Sequence, residues 1–261
     1  MRMKLLLVVA LLVSAAHADV WNKHYAVSGE PSLYLKAGDG HVRVTSSDSP
    51  EISVRVVTDG YRIAPDEVTI EESQEGGNVR VAVRVPRGMR LCIGFCVRRI
   101  EIDVTVPRRT NLDLRTDDGN ITVAHVRGEF RLHTGDGHME LHNLDGSLVA
   151  SSGDGHISAD GRFDRLDLSS GDGRIEADAE RGSKVATGWR LRSGDGSVTL
   201  RLPDDFAAEL DATTGDGSVD VDFPINTRGR MRESRVHGYL NGGGGLISVH
   251  TGDGHIRVGR L

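Results

Sequence analysis

Apolar residues recur at every second position in short runs along the chain, and the runs come in pairs around a Gly-Asp-Gly turn or a close relative of it. The turns are centred on Asp39, Asp118, Asp136, Asp154, Asp172, Asp195, Asp216 and Asp253. With the eight units aligned on the aspartate, positions six and four before it and three and five after it are apolar in every unit. Around Asp154 these are Leu148, Ala150, Ile157 and Ala159; around Asp195 they are Trp189, Leu191, Val198 and Leu200. The positions between them are polar, apart from Tyr34 and Val149. A period of two means that one side of each run is dry and the other wet, which predicts paired strands and little helix.

Two architectures share this pattern. In a β-solenoid each unit is one coil and equivalent positions stack in ladders; in an antiparallel β-meander, Asp-Gly is the two-residue turn of a hairpin. The four units from Asp118 to Asp172 are spaced by eighteen residues each, and seven units carry Ser or Thr two residues before the aspartate. Stacked equivalent sites require such recurrence and a series of hairpins does not. The expected fold is therefore all-β, a β-solenoid of about eight two-strand units, with the meander as the alternative.

The later intervals lengthen to twenty-three, twenty-one and thirty-seven residues, as if loops were inserted. Between the first two units, residues 51–106 hold four strand-like runs, expected as antiparallel strands that pair an exposed N-terminal edge of the stack. Residues 223–246 are expected as an inserted loop or hairpin. The expected organisation is a signal peptide over 1–18 and a single β-repeat domain over 19–261.

The leader assignment rests on Arg2 and Lys4 ahead of the apolar run Leu5 to Val13, with small residues at Ala16 and Ala18. No later run is long enough for a transmembrane helix, so the expected location is periplasmic, cell-surface or secreted. A formal net charge of -6 disfavours nucleic acid as a partner, because phosphate binding draws on clustered Lys and Arg. In an exported chain, Cys92 and Cys96 read most simply as a disulfide. Ile93 and Phe95 at the tip of that turn offer a partner contact or pack under a neighbouring loop. Arg228, Arg230, Arg232 and Arg235 could hold an anionic glycan or lipid headgroup, or balance nearby acids in a solvated loop.

Catalytic chemistry is hard to locate. The chain has no Gly-x-Ser-x-Gly elbow, zinc-binding His-Glu-x-x-His helix, phosphate-binding loop or dinucleotide fingerprint. No catalytic, cofactor-binding or metal residue is assigned, and no cofactor is expected. Three chemical readings stay open: flanking glycines that permit tight turns while the aspartate accepts turn N–H groups; a calcium ladder on stacked carboxylates; and a weak transition-metal site where His138 and His156 would be stacked neighbours. Wet-face acids also leave room for a glycoside-cleaving carboxylate pair.

The run Val104 to Val123, the units centred on Asp136 to Asp216, and the ending Leu240 to Val258 resemble the bacterial putative-adhesin family, a domain of unknown function built of short strand repeats. That resemblance implies an envelope or surface role without catalytic residues to carry over. The expectation is an exported, non-catalytic, adhesin-like scaffold, not an enzyme, whose partner is an envelope glycan or protein. The alternatives are a carbohydrate-active β-solenoid enzyme and a calcium-stabilised secreted module.

Overall fold

The computed structural model describes residues 18–85, 98–227 and 233–261. Residues 1–17 of the expected signal peptide, together with Cys92, Cys96, Ile93, Phe95, Arg228, Arg230 and Arg232, lie outside the described residues. The described chain is all-β. Its strands begin with β1 (Ala18–Ala26), β2 (Ser32–Ala37), β3 (His41–Ser47), β4 (Glu51–Asp59), β5 (Thr69–Glu75), β6 (Asn78–Arg84) and β7 (Arg99–Pro107). They continue as β8 (Asn111–Arg115), β9 (Ile121–Ala124), β10 (Arg127–Thr134), β11 (Met139–Ser152), β12 (Ile157–Ser170), β13 (Ile175–Ala179) and β14 (Trp189–Ser193). The last are β15 (Val198–Leu202), β16 (Ala208–Thr214), β17 (Val219–Val221), β18 (Ile225–Thr227), β19 (Arg235–Leu240), β20 (Leu246–Thr251) and β21 (Ile256–Arg260).

Each unit is one coil of a β-solenoid. Strands preceding the turns stack in parallel on face A, as where Leu132 pairs with both Leu114 and Ala150. Strands following the turns stack in parallel on face B, as where Leu141 pairs with Val123 and Ala159. The long strands β11 and β12 serve both faces; β11 rounds the edge opposite the turns through irregularities between Leu141 and Leu144 and between Gly146 and Ser147. Of the thirty-two aligned apolar side chains, thirty-one are buried in one continuous core. The exception, Val221, is half-buried because β17 pairs, among the described residues, only with β21.

The coils do not stack in chain order. Ile247 pairs with Trp189 on one side and with Leu210 on the other, so the last unit, around Asp253, lies between those around Asp195 and Asp216. On face B, β21 likewise sits between β15 and β17. The chain leaves the sixth coil, skips a level, forms the seventh and then the antiparallel pair β18–β19, and returns to fill the gap. The thirty-seven-residue interval contains that excursion. Within 223–246, β19 pairs antiparallel with β16 and covers its outer edge.

The opposite end departs from the expectation for residues 51–106. β4 and β5 do run antiparallel to their neighbours, but β6 and β7 run parallel to β2 and β3 and form an additional coil. Val79 and Val81 stack on Leu33 and Leu35, and Ile102 and Val104 on Val42 and Val44. The side-chain alternation of this coil matches the others. It lacks the Gly-Asp-Gly signature because residues 85–98 join its two strands. Beyond it, β1 pairs with β4, and buried Tyr25 packs into the end of the core.

Candidate functional site

The turn edge is held by hydroxyls. Ser152 donates its Oγ–H to Gly137 O at 3.0 Å and accepts the Gly155 N–H at 3.0 Å. Ser170 does the same between Gly155 O, at 2.9 Å, and the Gly173 N–H, at 3.0 Å. Ser193 and Thr251 continue the ladder, and these hydroxyl residues are buried. In six of the seven units that carry it, the Ser or Thr thus links its turn to the adjacent coil, whereas Thr116 bonds Gly119 O within its own turn. The turn N–H goes to the hydroxyl and not to the aspartate expected from the sequence. The hydroxyl takes it because it points inward, whereas all eight turn aspartates point out and are exposed.

In the turns at Asp136 and Asp154 the second glycine has a different reason from the tight-turn geometry expected. Gly137 and Gly155 lack the positive φ that would demand glycine. A Cβ on Gly155 would instead overlap the carbonyl of Gly137, and one on Gly137 the carbonyl of Gly119. Glycine is required by the coil below.

Face B carries a second ladder on its wet side, two residues after each aspartate. His41 Nδ1 accepts the Asn120 N–H at 3.2 Å, and Asn120 Oδ1 accepts the His138 N–H at 2.9 Å. His138 Nδ1 accepts the His156 N–H at 3.0 Å, and His156 Nδ1 accepts the Arg174 N–H at 3.0 Å. The His138 and His156 rings stack at 4.9 Å, as a solenoid demands. A ring whose Nδ1 accepts must carry its proton on Nε2, so these histidines turn N–H donors toward solvent. A groove of about 310 Å³ opens beside the start of this column, lined by His41, Arg43, Glu101, Asp103, His138 and Glu140 among others. On face A, the Tyr34 ring lies within cation–π distance of the Arg80 and Arg115 guanidinium groups, at 5.9 and 5.6 Å.

Among the described residues no three His, Cys, Asp or Glu side chains converge as metal ligands. Arg235 lies 3.5 Å from Asp211 on the neighbouring strand, an exposed pair of small energetic weight. The clearest charge perturbations are structural. Arg162 holds the Asp164 carboxyl below its ordinary range, and Asp164 and then Asp145 raise the Arg162 guanidinium. Burial, then the nearby Glu72 carboxylate, pushes the Tyr25 phenol well above its usual value. Glu72 is lowered by the Tyr25 hydroxyl and then by Lys23, whose Nζ is 3.1 Å away.

The family model described as Toastrack DUF4097 matches residues 31–179 and 110–259. No curated protein matches the chain significantly. Among solved structures, the chain is similar to a "putative cell adhesion protein" from Clostridium sporogenes, at 13% identity and a TM-score of 0.46, over 95% of this chain and 100% of the other. It is also similar to a "putative adhesin" from Bacteroides fragilis, at 11% identity and a TM-score of 0.35, over 93% of this chain and 97% of the other.

Proposed function

The chain belongs to the Toastrack DUF4097 family, and on that premise we propose that it is an exported, non-catalytic scaffold of the cell envelope or surface that holds an envelope glycan along face B. The observation that carries this reading is the column His41, Asn120, His138, His156 and Arg174, in which each side chain before the last is fixed by a backbone N–H of the next coil. Donors held at one coil spacing, about 4.8 Å, are ordered before any ligand arrives, so little entropy is lost when a repeating polymer lies along them. Rigid polar groups on a β-face give recognition without a cleft that would exclude water and assemble an acid and a base.

The test is to immobilise the mature chain and pass envelope glycans over it, with and without calcium, scoring both retention and breakdown. The scaffold reading expects retention without product release, and weaker retention when His138 and His156 are both replaced by Ala. Product release abolished by replacing one wet-face acid would support an enzyme instead. A millimolar calcium dependence of melting, reversed by chelation, would support a calcium-stabilised module.

A further inference from the structure

At the edge opposite the Gly-Asp-Gly turns, one inter-coil column departs from charge balance. Arg109 bridges in parallel to Arg127, Arg127 pairs with Asp145, and Asp145 pairs with Arg162. The single carboxylate is already shared, accepting from Arg127 Nε at 2.6 Å on one oxygen and from Arg162 on the other. Arg109 is left stacked on a like charge, which is destabilising at neighbouring positions of a sheet. Its partner is Glu30 at 3.8 Å, with both side chains well exposed, and such a pair contributes little.

The same residues line a cleft of about 560 Å³ together with Arg108, His125 and Asn143, a size suited to a small molecule. His125 and Asn143 occupy this edge with φ of 62° and 50°, left-handed conformations uncommon for residues with a side chain. Arg108 is tied to Asp48 at the surface, a contact that solvent and ligand can displace. The lining therefore presents three guanidinium groups, an imidazole and an amide beside the Asp145 carboxylate, which Arg127 shares with Arg162, the latter held in turn by Asp164.

We propose that this cleft is a binding site for an acidic sugar, a saccharide unit bearing a carboxylate or a phosphate, with the anionic group held by Arg109 and Arg127 and the His125 and Asn143 side chains beside it. Planar guanidinium groups match either oxyanion in bidentate fashion. An oxyanion of the ligand would replace the long, exposed contact of Arg109 with Glu30, and the cleft is larger than a bare ion needs. The site lies on the edge opposite the turns, and the histidine column lies on face B, so the site stands or falls independently of the glycan-scaffold reading.

The experiment titrates the mature chain, at low ionic strength, with glucuronate, glucose 6-phosphate, inorganic phosphate and glucose, following backbone amide shifts. The proposal expects saturable shifts around Arg109, His125 and Asn143 with both acidic sugars, weaker ones with inorganic phosphate, and none with glucose. R109Q should lower acidic-sugar affinity at least tenfold, while R43Q on face B leaves it unchanged. H125G suits a backbone at positive φ, so it should retain the fold and still weaken binding severalfold. Equal affinity of R109Q and wild type, glucose binding as tightly as glucuronate, or no saturation at millimolar acidic sugar would overturn the proposal. Inorganic phosphate binding as tightly as both sugars would reduce the site to an anion pocket and overturn the saccharide assignment. Should R109Q fail to fold, the H125G titration and the wild-type shift map decide.

Discussion

The imidazole of His138 lies parallel to that of His156, 8° between planes, while its Nδ1 accepts the backbone N–H of the residue it stacks upon. Stacking and hydrogen bonding together fix the ring, its tautomer and its outward N–H. Ring nitrogen chemical shifts of the neutral imidazoles should therefore report the Nε2–H tautomer for both histidines, with Nδ1 unprotonated. Protonated Nδ1 in either ring would break the ladder as described.

The turn hydroxyls carry stability that the turn carboxylates do not. Ser152→Ala leaves the Gly155 N–H and the Gly137 carbonyl without their side-chain partner in a buried site, at a cost of about 1–3 kcal/mol. Asp154→Asn, at an exposed position of the same turn, should stay within about 0.5 kcal/mol of wild type. Denaturant melts of the two variants check the ranking, and the reverse order would return the N–H-accepting role to the aspartate.

Gly155→Ala should be among the most damaging small substitutions in the chain. The added methyl meets the backbone of the coil below, which has no flexible side chain to move aside, so a loss exceeding about 3 kcal/mol or failure to fold is expected. A mild effect in a thermal melt would mean that adjacent coils are farther apart than the ladder requires.

At the N-terminal end, pH acts through Tyr25 and Glu72. Glu72 is lowered on folding, so its contribution is present above the ordinary carboxylate value and is lost as pH falls through the folded one. Tyr25 is raised, so its contribution is present below the ordinary phenol value of about 10 and is lost as pH rises toward the folded one. The stability gap between wild type and Glu72→Gln should accordingly be constant across neutral pH and narrow in acid below the carboxylate range. A gap that widens in acid would show that Glu72 is not stabilised in its charged form.

Much of the solenoid is legible in residue parity. Leu148, Ala150, Ile157 and Ala159 identify the dry side of their coil because a strand admits two faces and the turn fixes the phase between them. Coil order is not legible in that way. The unit around Asp253 has the same alternation as those around Asp195 and Asp216, so pattern alone fits any order, and the skipped level appears only when Ile247 is seen between Trp189 and Leu210. The coil made by β6 and β7 was hidden because a long connection replaces its Gly-Asp-Gly turn. The histidine column could be read from His138 and His156 at equal offsets. The Arg109 to Arg162 column could not, since it depends on which residues share a level at the irregular edge.

The placement of the last coil tests the stack most directly, through interstrand nuclear Overhauser contacts of β20. The backbone of Val249 should show contacts to Leu191 on one side and to Ala212 on the other, with none between Leu191 and Ala212 themselves. Direct backbone contacts between Leu191 and Ala212, with Val249 at the outside of the stack, would contradict that placement.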